Sequence, residues 1–134
     1  MERLRWAVEW IQDFQKRYGQ TRGWCWRRVR QSCEAQSIRV PHAEDAKSAW
    51  KALSVDPKAY GWRKATRDGE GNLEEPCLVF FKGLRMDIIK NPALYWHWHS
   101  SLLYKGKLYA SYNYNMTAFW AARIVGAYVL QNGE

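Results

Sequence analysis

The apolar pattern of this chain changes once, at Pro76, and that change limits the fold more than any other feature. Before it, Leu4, Val8, Ile11, Phe14 and Tyr18 recur at helical spacing among Glu2, Glu9, Asp13, Gln15 and Lys16. This spacing predicts an amphipathic helix ended by Gly19. A second helix is expected from Trp24-Cys25 to about Gln36, with Cys25, Val29 and Cys33 on one face. A third runs from Ala43 to Leu53, after the break at Pro41-His42. Residues 54–75, with the turn signal Asp68-Gly69-Glu70-Gly71-Asn72, read as a long loop holding at most one edge strand. After Pro76 the runs are short and strand-like: Cys77 to Phe81, Leu94 to Tyr104, and Leu108 to Tyr114. The tail from Thr117 to Leu130 reads either as one helix or as a short helix followed by a strand at Ala127–Leu130. Helices first and strands later predict an α+β domain with N-terminal helices packed on a small antiparallel sheet. No repeat or low-complexity segment interrupts this order, and 134 residues, 47% of them hydrophobic, suit a single domain over 1–134.

The formal net charge of +8 favours anionic partners, whether nucleic acid, anionic lipid or an acidic polymer. Nine Trp and eight Tyr can fill a core and also line a groove. The start of the chain, Met1 to Trp6, is charged and carries no apolar signal-peptide run, so synthesis without a secretory signal is expected. No stretch is long enough to span a membrane. The three cysteines cannot all pair. Cys25 and Cys33, eight residues apart on one expected helix, would be separated by about 12 Å of rise, too far for a disulfide.

Cys25 stands where the second helix begins, after a Gly-containing loop and beside Arg22, Arg27 and Arg28. A helix N-terminus and nearby cations favour thiolate, which makes Cys25 a candidate nucleophile; a buried structural cysteine is the plainer reading. His97 and His99 are two apart and share one face of their expected strand. If the hairpin loop is Lys105-Gly106-Lys107, His99 lies opposite Asn113 and His97 opposite Asn115. If it is Tyr104-Lys105-Gly106, His97 lies opposite Asn113 and His99 opposite Ser111. Any odd-length loop keeps histidines and asparagines on one face, and a two-residue loop separates them. His42, after Pro41, has no partner in sequence. A zinc reading of His97 and His99 with Cys33 or Cys77 lacks any supporting ligand spacing, so no metal is expected. Arg22, Arg27, Arg28, Arg30 and Arg39, interleaved with Trp24 and Trp26, also form a candidate nucleic-acid surface.

The order of these parts resembles the CHAP and NlpC-like cysteine amidohydrolases and peptidases of the papain-like fold, above all those of phage cell-wall lysins. The resemblance rests on Gly23-Trp24-Cys25-Trp26-Arg27-Arg28-Val29-Arg30, Ser48-Ala49-Trp50-Lys51-Ala52, Pro76 to Phe81, and the hairpin from His99 to Ser111. It covers roughly residues 20–130, placing the hydrolase core at 20–134 behind the helix of residues 1–19. Glu75-Pro76 stands where these families usually carry Gly-Asp, Trp98 where Gly often precedes the histidine, and Trp24 where Gln commonly precedes the cysteine. The resemblance implies a peptidoglycan amidase or endopeptidase needing no cofactor. Cys25 would attack an amide carbonyl, His99 (or His97) would protonate the leaving amine, and Asn113 (or Asn115) would orient the imidazole. Gln20 would be the nearest oxyanion donor, and Trp24, Trp26, Trp98 and Tyr112 would hold the glycan. It further implies action at the wall after release, or within a phage particle whose other proteins dock on the first helix. A catalytically inactive structural or binding relative of the same fold is the alternative.

Overall fold

Leu4, Ala7, Val8 and Ile11 are buried along one stripe of α1 (Glu2–Tyr18), so this helix docks by the face its spacing predicts. Phe14 and Tyr18, expected on that face, stay at its margin. Trp10, Phe14 and Tyr18 instead stack on one another, with ring centroids 5.5 and 4.7 Å apart. Gly19, at φ +79°, closes the helix with its N–H on the Gln15 carbonyl. The computed structural model describes residues 2–21, 23–82 and 98–131.

α2 (Cys25–Ala35) buries Trp26, Val29, Ser32 and Cys33. α3 (Ala46–Val55) starts at Asp45, whose carboxylate accepts the Ser48 N–H at 2.8 Å, and buries Ala46, Ala49 and Leu53. A 3-10 turn at Pro57–Tyr60 leads into the expected edge strand, β1 (Trp62–Lys64). The turn-rich stretch that follows is closed by Glu74, which accepts two hydrogen bonds from Arg63 at 2.7 and 3.0 Å and one from the Thr66 N–H.

The remaining strands are β2 (Cys77–Phe81), β3 (His99–Tyr104), β4 (Lys107–Tyr109), β5 (Tyr114–Asn115) and β6 (Ile124–Leu130). A short helix, α4 (Ala118–Ala121), precedes β6, so the tail is a helix and then a strand. Among the described residues the strands form one sheet in the order β1-β6-β2-β3-β4-β5, with antiparallel neighbours throughout. The architecture is α+β, with N-terminal helices packed on an antiparallel sheet. All five residues of β2 are buried because both its faces are covered. Leu78 and Phe80 join the core beneath the helices, while Cys77, Val79 and Phe81 join a second cluster with Leu73, Met116 and Trp120.

Two strand expectations are corrected. The run from Leu108 to Tyr114 is not continuous: β4 ends at Tyr109, and Ala110 to Asn113 bend toward α1 before β5 folds back on β4. The hairpin loop is neither of the odd-length ones. Tyr104 pairs with Lys107, leaving a turn of only Lys105 and Gly106, both in the left-handed region at φ 50° and 73°. Two consecutive residues of that kind suit the right-handed strand twist, which makes such turns common in tight hairpins. Of the expected strand at Leu94–Tyr104, residues 94–97 lie outside the described residues.

Candidate active site around Cys25

The segment leading into α2 is held by the residues just after β4. The Thr21 N–H donates to the Ser111 carbonyl at 3.0 Å, and the Ser111 hydroxyl donates to the Gly23 carbonyl. Asn113 exchanges amide hydrogen bonds with Gln15 at 2.8 and 2.9 Å, and its N–H donates to Gln20 Oε1 at 2.8 Å. Trp24, at φ 60°, turns the chain into the helix without a side-chain cap. Cys25 is therefore the first helical residue of α2, packed toward the core on the helix-facing side of the sheet.

Its thiol donates to the Trp98 carbonyl at 3.8 Å. Burial pushes the thiol above its ordinary value. The Ser100 amide and hydroxyl, with the amides of Trp26 and of Cys25 itself, pull the other way and do not win. The helix terminus and its donors thus fail to offset desolvation, and at neutral pH the sulfur carries its proton. Cys33 and Cys77 are more extreme, both pushed up to about 12 by burial. All three cysteines carry free thiols, and Cys33 and Cys77 belong to different core clusters.

Side chains alternate along β3. Leu102 belongs to the core beneath the helices and Leu103 to the second cluster. Ser100 therefore faces the helices and Cys25, while His99 faces away. The His99 ring meets Trp120 edge-on at 5.3 Å, and Trp120 meets Phe81 the same way at 5.2 Å. The pairing of β3 with β2 is the cause: Ser100 stands beside Phe80 of the core beneath the helices, and His99 beside Phe81 of the second cluster. The two-residue turn, which sets Leu102 opposite Tyr109, parts the asparagine from the histidine. Asn113 lies on the side of α1, bound to Gln15 and Gln20, and not against His99. Asn115, the alternate, is exposed on β5 opposite Lys107. His97 lies outside the described residues.

The other expected site residues divide. Trp24 is 62% exposed, with the Arg27 guanidinium 4.3 Å from its ring centroid. Trp26 is corrected from a glycan contact to a core residue: it is 2% exposed, packs on Phe80, and donates its indole N–H to the Ala43 carbonyl. One position along a helix turns a side chain by about 100°, enough to separate these neighbours. Trp98 is half-buried and stacks on Trp50 at 4.9 Å. Tyr112 is half-buried against Tyr114. Gln20 is exposed, its carbonyl oxygen committed to Asn113. His42 is exposed.

Sequence reasoning missed Ser100 and Gln15. Ser100 stands at helix-facing parity in a strand that is otherwise apolar there, a signal that needs the register to be read. Gln15 reads in sequence only as a polar residue of α1, and its contact with Asn113 spans 98 positions.

Of the proposed basic surface, Arg28 lies 3.6 Å from the Phe14 ring centroid and Arg30 approaches Glu34 at 3.8 Å. Arg22 lies outside the described residues. Among the described residues no group of three His, Cys, Asp or Glu side chains is arranged to hold a metal ion, and no helix is long and apolar enough to cross a membrane. Comparison with family models, curated proteins and solved structures finds no match.

Proposed function

We propose that this chain is a papain-like domain, akin in architecture to the CHAP and NlpC-like hydrolases, that binds an anionic wall polymer and leaves it uncut. Peptidoglycan is the polymer this reading names, and a phage particle acting at the wall is its setting. One observation carries it: the β3 residue facing the Cys25 thiol is Ser100, in the position where a papain-like hydrolase needs its imidazole. A serine hydroxyl is too weak a base to take a thiol proton at neutral pH, and burial keeps that proton in place. Support for binding comes from the net charge of +8 and from the exposed rings of Trp24 and Tyr18.

The test is co-sedimentation with purified peptidoglycan, followed by assay for newly released amino groups. Salt-sensitive co-sedimentation without release, unchanged in Cys25→Ala, is the expected result. Iodoacetamide at neutral pH should label Cys25 slowly. Release of amino groups that disappears in Cys25→Ala would overturn the reading in favour of a hydrolase, with His97 the base to substitute next. A nucleic-acid reading is favoured by the cationic contacts on Trp24 and Phe14, because such Arg–aromatic pairs also suit bases and phosphates. Binding to a single-stranded oligonucleotide that exceeds binding to the wall polymer, and that falls steeply with salt, would put it first.

A further inference from the structure

A groove of about 330 Å³ lies between α3 and the paired strands β1 and β6. Its polar wall is made by Trp50, Ser54, Lys64, Arg67 and Tyr128. Trp50 and Ser54 are one turn apart on α3, and Lys64 is the cross-strand partner of Tyr128. Gly126 lies two residues before Tyr128 on β6, where a Cβ would come within 3.0 Å of both Trp50 Nε1 and Tyr128 Oη. The missing side chain is what lets the indole N–H and the phenol converge over the strand.

The polar groups here are donors. Trp50 Nε1 is buried and has no hydrogen-bond partner, an unfavourable state for an N–H in a folded interior. Burial raises the Tyr128 phenol above its ordinary value, so it stays protonated and able to donate. Lys64 and Arg67 are exposed cations, and Arg67 is steadied by a 2.8 Å hydrogen bond from one guanidinium nitrogen to the Gly71 carbonyl. Ser54 spends its proton on the Lys51 carbonyl. Among the described residues that line the groove none is acidic. Two neutral donors beneath two cations, with no carboxylate to compete, form a receptor for negative oxygen.

We propose that this groove binds a single oxyanion group, carboxylate or phosphate, of a small ligand. Trp50 Nε1 and Tyr128 Oη donate to its oxygens, and Lys64 and Arg67 supply the charge. The site is separate from Cys25 and stands whether or not that thiol reacts.

The Trp50 indole N–H gives its own signal in a nitrogen–proton correlation spectrum, assigned by its loss in Trp50→Phe. The intact chain is titrated with sodium phosphate and with sodium acetate, each against sodium chloride at matched ionic strength. The expected result is a saturable displacement of the Trp50 indole signal by one or both oxyanions. Its dissociation constant should weaken at least tenfold in the Lys64→Ala/Arg67→Ala double variant, and measurably in Tyr128→Phe. Both cationic positions are exposed, and an unchanged melting curve confirms that the double variant folds. Tighter saturation by phosphate assigns the group to a phosphoryl ligand, and tighter saturation by acetate to a carboxylate. Displacement that chloride reproduces, or that the double variant leaves unchanged, overturns the proposal.

Discussion

The two sides of β3 carry opposite chemistry. Toward the helices lie the Cys25 thiol, the Ser100 and Ser111 hydroxyls and the Gln15 and Asn113 amides; the two amides bond to each other, and Cys25 and Ser111 donate to backbone carbonyls. On the far side lie His99, Phe81, Tyr114 and Trp120, a set of rings in edge and tilted contact. A cysteine and a histidine in the right order along a chain thus do not make a pair. The strand between them decides: its register against β2 turns Ser100 toward the thiol and His99 away. The two-residue turn after it then parts Asn113 from His99.

Substitutions test this contrast. The largest effect belongs to the core beneath the helices. Phe80 is fully buried, with Trp26 at 5.8 Å and Tyr128 at 6.1 Å, so Phe80→Ala should cost about 3–5 kcal/mol in urea unfolding. Next is the amide set: Asn113→Ala removes two of the hydrogen bonds of the Gln15 amide, leaving the one to the Ala110 carbonyl, and should cost about 1–3 kcal/mol. Asn115→Ala, on the exposed β5, should stay within about 0.5 kcal/mol. Equal losses at the two asparagines would dissolve the distinction between them.

Ser100→Ala tests the facing position itself. The Ser100 hydroxyl is buried and makes no hydrogen bond of good geometry, so its removal should change stability by less than about 1 kcal/mol. The hydroxyl favours the thiolate, so the alkylation profile of Cys25 against pH should move further upward in this variant. A downward move would mean that another group governs the sulfur.

Another small effect lies outside both faces. Arg63 and the Thr66 N–H hold Glu74 down at about 2, against an ordinary value of 4.5. A depressed carboxylate stabilises the fold above its ordinary value, and that contribution is lost as pH falls toward 2. Because the pair is largely solvated, Glu74→Gln should cost only about 0.5–1 kcal/mol near neutral pH. The two stability curves should converge as pH falls through that window.

Much of the fold was legible because the core imposes simple periods. The stripe from Leu4 to Ile11 marks α1, and the unbroken run from Cys77 to Phe81 marks a strand covered on both faces. The sequence allows an edge strand within residues 54–75 and a short helix ahead of a final strand, and both form. The site was less legible because it depends on parity. Lys105-Gly106 lacks the Asn or Asp that announces a two-residue turn, yet Lys105 adopts the left-handed conformation all the same. From that turn follows the parting of Asn113 from His99, while the facing role of Ser100 comes from the pairing of β3 with β2. Trp24 and Trp26 are equally aromatic in sequence, and only the docking angle of α2 exposes one and buries the other.

The strand order has a consequence for how the molecule is made. β6 lies between β1 and β2, so among the described residues the sheet partner of residues 62–64 comes only with residues 124–130. β2 is likewise open along one edge until then. During synthesis the β1 edge waits about 60 residues and the β2 edge about 43 residues for β6, whose arrival closes both.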